Sequence, residues 1–572
     1  MNAAGWLEIL LFCAVLTAIT PVLGGYLARV YCHEATFLGA IERPLYRLLG
    51  VDAERGQDWK GYARSVLVFS AVLGLLTYLI LRTQGLHPWN PKDLSSGTWD
   101  VSFNTATSFM TNTNWQFYAG ETTLSSFAQM VGLAVQNFAS AAVGIAVLVA
   151  FVRGLASRSG SSIGSFYVDF TRTVLYVLVP MSIVVALVLV SQGVIQTLTG
   201  AAGTTGLTGL QQHFALGPVA GQEAIKMLGT NGGGFFNVNS AMPFENPTWF
   251  SNFVEMLAIL VIPASLTAMY GRMVDNRRQG WMVFGAMMTL FVVAVAIIYV
   301  NEAGPTPAMK AAGLIGDNLE GKEQRFGIGS SSLFTAVTTA ASCGAVNGAM
   351  ESLSGFGGAV PMAQIMTGEV IWGGVGSGLY SMLLFVILAV FIAGLMVGRT
   401  PEFLGKKIEA REIKLTVIGS IAVPMMVLVT TALAIATKWG APSIYDSGPQ
   451  GFSETLYAYA SMGNNNGSAF AGYTGYLQPN GTNAGAFGIS FADLLGGVSM
   501  LAGRFIPLLV ALAVAGSLAG KRVAPQGLGT LRTDTPTFAV VLIGVVLLVA
   551  LLTFVPALLL GPVVQGLSDS LF

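Results

Sequence analysis

The sequence predicts an all-α polytopic membrane protein of about ten transmembrane helices, arranged as four helix–pore loop–helix repeats around a pseudo-fourfold axis. Three observations carry that prediction. Hydrophobic residues make up 53% of the 572 and charged residues only 10%, with a mean hydropathy of +0.67, whereas a soluble domain carries roughly 25% charge. Ten apolar runs are long enough, within a few residues, to cross a hydrocarbon core that takes about 20 residues of helix. Between them recur four short loops rich in glycine and asparagine: Asn112-Thr113-Asn114-Trp115-Gln116, Gly229-Thr230-Asn231-Gly232-Gly233-Gly234, Ser342-Cys343-Gly344-Ala345-Val346 and Asn465-Asn466-Gly467-Ser468-Ala469. Aligned on Asn114, Gly232, Gly344 and Gly467, they lie 118, 112 and 123 residues apart.

The runs fall near 5–30, 62–82, 124–152, 171–192, 249–272, 280–300, 363–397, 412–437, 490–519 and 537–560. The first has no basic residue ahead of it and its first charge is Glu8. It is too long for a signal-peptide core and reads as a retained span. First and last runs stand outside the repeats, and the middle eight pair around the loops. The implied divisions are 1–60, pore repeats at 61–160, 161–279, 280–410 and 411–533, and a last span at 534–572. Ahead of each loop is a segment of helical character too short to span: Phe103 to Met110, Val219 to Leu228, Ser332 to Ala341 and Phe452 to Met462. Such a half-helix aims its negative dipole end at the loop. Non-helical backbone at membrane depth persists only when buried in protein or lining water, and four loops meeting at one axis meet that condition.

Sidedness follows from lysine and arginine. With the loops facing outward, the inner segments hold twenty of them and the outer segments seven, with Arg504 inside a span. Loops and both termini are therefore expected outside. The outer segments also carry Asp93, Asp100, Glu223, Glu245, Asp317, Glu320 and Glu323, which suggests an acidic vestibule that concentrates cations. Zero formal net charge argues against nucleic acid as a partner. Cys13, Cys32 and Cys343 show no paired spacing, and His33, His87 and His213 are scattered, so neither a disulfide framework nor a zinc site is expected.

A ring of four loops suits potassium, whose hydration shell is replaced by backbone carbonyls. Turning successive carbonyls inward needs left-handed dihedrals, cheap for glycine and less so for asparagine. That reading covers Gly232, Gly344 and Gly467, with Asn114 as the odd member. The short polar side chains of Asn112, Thr113, Thr230, Asn231, Ser342, Asn465 and Asn466 either hold the loops or contact ions, and Cys343 completes the third loop. Gly233 and Gly234 support the second loop; Gln116 either holds the first in shape or is a simple loop amide. Arg504, about fourteen residues into the ninth span, is either a barrier beneath the loops, a structural ion pair, or an arginine snorkelling to the inner surface. Glu369 precedes Gly373-Gly374-Val375-Gly376-Ser377-Gly378. That cluster either breaks the seventh helix into a gating loop with Glu369 as a cation waypoint, or packs closely through Gly374 and Gly378.

The strings Thr111 to Gln116, Gly229 to Phe236, Ser342 to Asn347 and Gly463 to Phe470 resemble the four filter loops of the KdpA family, the potassium-binding subunits of bacterial Kdp pumps within the superfamily of K+ transporters. The similarity runs nearly the whole chain, including Gly398-Arg399-Thr400-Pro401-Glu402 and Gly503-Arg504-Phe505-Ile506-Pro507. The resemblance implies ten spans in a bacterial inner membrane and a K+ filter open to the outside. It also implies a lateral tunnel to a KdpB-like P-type ATPase subunit, with a small KdpC-like subunit completing the complex. Membrane lipid surrounds such a chain. The sequence contains neither a G-x-x-x-x-G-K-[ST] phosphate loop nor an Asp-Lys-Thr-Gly phosphorylation motif. The chain is therefore expected to bind no nucleotide and to hydrolyse no ATP by itself. A stand-alone K+ channel or symporter of the same superfamily fits the loop physics equally. A gradient-driven solute transporter with broken helices would instead show two inverted repeats.

Overall fold

The computed structural model describes residues 3–158, 160–475, 490–524 and 530–568. Among them are ten helices long and apolar enough to cross a membrane: Ala3–Tyr31, Trp59–Arg82, Ala128–Ala156, Phe166–Ser191, Trp249–Met273, Arg277–Glu302, Ser377–Met396, Ala410–Ala436, Phe491–Ala519 and Pro536–Leu567. At 1.5 Å per residue, these helices of 20 to 32 residues reach across roughly 30 Å of hydrocarbon. Hydropathy does not distinguish inner from outer helices, but packing does. Over an apolar stretch of 18 residues, 89% of the third span is buried, against 22% of the tenth. The third and fifth spans are the heart of the bundle, and the first, second, fourth, eighth and tenth present apolar faces outward.

Lipid tails are as apolar as leucine, so helices associate here through close packing rather than hydrophobic transfer. A methyl group at Gly24 of the first span would lie 2.6 Å from Ala268 Cβ of the fifth, and the same pair of helices sets Phe12 edge-on to Phe253 at 5.9 Å. Polar ties close the end of the bundle opposite the loops. Arg153 of the third span meets Asp169 of the fourth at 2.7 Å and donates to the Tyr31 carbonyl ending the first, while Tyr62 of the second reaches Asp169 at 3.1 Å. Lys406 Nζ donates to Gly154 O and Leu518 O at 2.9 and 2.7 Å, neutralising the carbonyl ends of the third and ninth spans.

The four half-helices are Trp99–Met110, Val219–Leu228, Gly327–Ala340 and Gly448–Gly463. Three begin earlier than their apolar residues suggest, because polar or glycine-rich first turns such as Gly448-Pro449-Gln450-Gly451 are helical too; Pro449 sits where its missing N–H costs nothing. The seventh run is not continuous. Helix Gly355–Met366 stops, residues 367–376 are irregular, and the span proper starts at Ser377. Gly374 therefore lies in the break, which rules out helical packing through Gly374 and Gly378. Two small hairpins, Ala201–Thr205 with Gln211–Ala215 and Glu402–Phe403 with Lys406–Lys407, are the strands among the described residues of this otherwise helical chain.

Candidate functional site

Each half-helix ends in the same way. The residue that follows by one step past its last turn is left-handed: Asn112 at φ 66°, Thr230 at 47°, Ser342 at 46° and Asn465 at 52°. The next N–H then reaches back five residues: Thr113 to Ser108 O, Asn231 to Lys226 O, Cys343 to Thr338 O and Asn466 to Ser461 O, all at 2.8–2.9 Å. This is a Schellman-type ending with a non-glycine residue at the left-handed position. The carbonyl acceptors are equivalent, and so are their side chains. Ser108 Oγ donates to Trp115 O at 2.9 Å, Lys226 Nζ to Gly233 O at 2.9 Å and Thr338 Oγ1 to Cys343 O, while Ser461 Oγ accepts from Gly467 N at 2.9 Å. One side chain per half-helix thus braces its own loop from behind.

The loops close into a ring. Between loops one and two, Asn112 Nδ2 donates to Gly229 O and Thr230 O at 3.2 Å, Asn114 Nδ2 donates to Gly232 O at 3.0 Å, and the Gln116 amide pairs with both the N–H and carbonyl of Gly234. Between two and three, a methyl group at Gly232 would collide with the backbone of Gly344. Between three and four, one at Gly344 would lie 2.9 Å from Asn466 O, and Asn466 Nδ2 donates to Thr338 O at 3.0 Å. Between four and one, a methyl at Gly467 would strike Thr113 O, and Asn465 Nδ2 donates to Thr113 Oγ1 at 2.9 Å.

The ring corrects one expectation. A second left-handed residue occurs at Asn114 (56°), Gly232 (69°) and Gly467 (95°), whereas Gly344 has no positive φ. Glycine is required at 344 by the approach of loop four, not by its dihedral. The asparagine amide nitrogens are largely committed to bonds between loops or to the third span, and Asn112 Oδ1 accepts from Ser140 Oγ of that span at 2.7 Å and from Asn231 Nδ2 at 2.5 Å. What remains for an ion is mainly backbone, beside the side-chain oxygens Asn114 Oδ1, Asn231 Oδ1 and Ser342 Oγ, which are buried and have no hydrogen-bond partner among the described residues. Among the described residues, no donor reaches the carbonyls of Asn112 and Thr113, of Asn231, of Ser342 and Gly344, or of Asn465, Asn466 and Gly467. Seven of the eight belong to buried residues and Gly467 is half-buried, and buried carbonyls are normally satisfied. Together with the four negative helix ends they offer the arrangement of partial charge that suits a desolvated monovalent cation.

Behind loop two is a charge cluster invisible to a search for surface acids. Lys226 Nζ lies 2.7 Å from Glu223 and 2.8 Å from Glu245, all three buried, and Glu245 also accepts from Phe236 N at 2.9 Å. Glu223 and Glu245 therefore do not line a vestibule, and Asp100 is buried as well. The vestibule above the ring, about 740 Å3, is lined instead by groups such as Gln116, Tyr118, Asn237, Lys322, Glu323 and Tyr445. The spacing Glu223-Ala-Ile-Lys226, one helical turn, was the available signal for the buried pair; Glu245 had none.

Beneath the ring, the break in the seventh span makes the floor. Gly368, Glu369, Trp372, Gly373 and Gly376 are left-handed, and Val375 N donates to Thr230 Oγ1 at 2.8 Å, joining floor to loop two. Arg504 is 4% exposed and 4.0 Å from Glu369. It does not snorkel. Both line a small cavity that begins at Gly463, Asn464 and Asn465 under loop four and extends past Pro424 and Pro507 to Val549, Thr553 and Phe554 of the tenth span.

Comparison with known proteins agrees with this geometry. A family model described as KdpA, potassium-transporting ATPase A subunit, matches residues 10–567. A Granulibacter bethesdensis protein named potassium-transporting ATPase potassium-binding subunit is 52% identical over 575 residues, covering 99% of each chain. A Methylobacterium nodulans protein of the same name is 51% identical, covering 100% of this chain and 98% of its own. Among solved structures, the potassium transporter TrkH from Vibrio parahaemolyticus matches with a TM-score of 0.53 at 15% identity, over 88% of this chain and 96% of that one. That likeness is one of fold.

Proposed function

This chain belongs to the KdpA family of potassium-transporting ATPase A subunits, and from that premise we propose how it selects and passes its ion. It is the potassium-binding, non-hydrolytic subunit of a potassium-transporting ATPase complex. Potassium enters the vestibule, sheds water, and is held by the loop segments Asn112-Thr113-Asn114, Thr230-Asn231-Gly232, Ser342-Cys343-Gly344 and Asn465-Asn466-Gly467, chiefly through those of their backbone carbonyls that no donor reaches. The observation that carries this reading is the ring itself: buried, donor-free carbonyls converging at four helix ends. Gln116, Gly233 and Gly234 keep the first two loops in register. The twenty-to-seven excess of lysine and arginine supports loops facing the exterior of a bacterial inner membrane, and the repeat divisions follow the four half-helices.

Straight passage inward meets Arg504, whose guanidinium repels a cation arriving from the ring, while Glu369 and the left-handed segment around Gly374 form the floor. The cavity running from Asn465 to Phe554 supports a sideways path, which in our reading leads to a KdpB-like P-type ATPase subunit, with a KdpC-like accessory subunit completing the assembly. The test is purification of the tagged chain from its native membranes, followed by assay of potassium-stimulated ATP hydrolysis and identification of co-purifying chains. Potassium-dependent hydrolysis together with a large ATPase subunit is expected. A solitary chain that conducts potassium in liposomes without ATP would overturn the pump reading and leave the filter reading intact.

A further inference from the structure

Away from the ring, three carboxylates meet with no counter-charge among the described residues. Glu351 lies on the short turn after loop three, Asp446 just ahead of the fourth half-helix, and Glu454 on its second turn. One oxygen from each falls within 4.8 Å of the others. Glu351 and Asp446 are half-exposed; Glu454 is wholly buried. Its Oε1 accepts a 3.4 Å bond from Gln450, but Oε2 has no hydrogen-bond donor among the described residues. The charged groups that bear on the cluster are themselves acidic, Glu320 being the fourth. The backbone has made room for the carboxylate: a methyl group at Gly472 would collide with the Glu454 carboxyl.

We propose that Glu351, Asp446 and Glu454 bind a divalent cation of the calcium class, which clamps the turn after loop three to the fourth half-helix. A buried carboxylate oxygen without a donor beside two further carboxylates is costly unless a cation or a proton supplies the missing charge. Oxygen-only ligands select a hard cation. At calcium–oxygen distances of about 2.3–2.6 Å, ligand oxygens lie up to about 5 Å apart, whereas magnesium at about 2.0–2.1 Å holds them closer together. Met350 and Tyr445, sequence neighbours of the ligands, line the vestibule, so the ion would stiffen its wall from behind. Burial first, then the neighbouring Asp446 and Glu351, push Glu454 up to about 8. The ion therefore displaces a proton, and its affinity rises with pH toward that value.

The test uses the intact complex, stripped with a chelator and titrated with calcium alone and with magnesium alone, read by calorimetry and by thermal melting. One calcium per chain is expected, with a dissociation constant on the order of 10⁻⁴ to 10⁻³ M, as in extracellular calcium modules. Glu351→Gln and Asp446→Asn, both at half-exposed positions, should each weaken it at least ~10-fold. Absence of a calcium-dependent heat at concentrations about tenfold above that range, or binding unchanged in both variants, overturns the proposal. So does Glu454→Gln raising the melting temperature of a complex that binds no calcium, because a shared proton would then account for the cluster.

Discussion

In Gly232→Ala the added methyl meets two obstacles at once. The residue is left-handed at φ 69°, a conformation that costs an L-residue about 1–2 kcal/mol. The methyl also runs into the backbone of Gly344, and overpacking of a closed site costs about 1–3 kcal/mol. Their sum, about 2–5 kcal/mol, corresponds to roughly 30-fold to several-thousand-fold weaker potassium binding if the ring bears the strain. Gly344→Ala faces only the second obstacle, with its methyl 2.9 Å from Asn466 O, and should be milder. Gly285→Ala, in the sixth span with nothing within 4 Å, should be neutral or slightly stabilising. The assay is the potassium dependence of ATP hydrolysis by the complex, paired with rubidium uptake in competition with sodium. An unchanged half-saturating potassium concentration in Gly232→Ala would refute the ring, as would equal damage from Gly285→Ala.

Lys226→Met leaves Glu223 and Glu245 buried without their ammonium and removes the brace on Gly233. A loss of about 3–5 kcal/mol is expected, measured by melting in detergent, and a loss below about 1 kcal/mol would contradict the charge assignment. Arg504→Ala removes the cation beneath the ring, so liposomes bearing the complex should leak potassium without ATP; tight liposomes would remove Arg504 from the barrier. Glu454 gives a pH dependence of definite sign. Its pKa is raised from 4.5 to about 8, so the folded state holds a proton that the unfolded chain releases. That contribution is complete below about 4.5 and is lost as pH rises through 8. The divalent-free complex should melt lower at pH 9 than at pH 7, and Glu454→Gln should flatten the dependence; an identical slope in that variant would exclude this carboxyl as its source.

Much of the architecture was legible because membranes impose length. Ten apolar runs had to be ten spans, and four short helical segments before Gly/Asn loops could only be half-helices. Side-chain chemistry was less legible. The run through Val370-Ile371-Trp372 is apolar across a real break: the helix ends at left-handed Gly368, and Glu369 and Trp372 continue the left-handed backbone, so the glycines signal the break and the hydrophobic period does not. Glycine drew attention to the third loop position, while the first, occupied by Asn, Thr, Ser and Asn, carries the positive φ in all four loops. A short polar residue there is a helix C-terminal signal that composition alone had folded into general loop polarity. Charge usually means water, so Glu223 and Glu245 read as vestibule acids in the sequence; a lysine serving as a loop brace reverses that inference.

Ser108, Lys226, Thr338 and Ser461 hold equivalent places yet are three different residues, which is available only to a ring written along one chain. In an assembly of four identical subunits, one codon change alters every quarter together, and each kilocalorie of damage is counted four times. Here a substitution touches one quarter, and its effect is a single dose. Quarters can therefore diverge: the second has acquired a lysine with two carboxylates, the third has abandoned its second left-handed residue, and the fourth opens below onto the cavity. Inheritance can tune such a ring one side at a time, making a symmetric binding chemistry compatible with an exit that points in one direction.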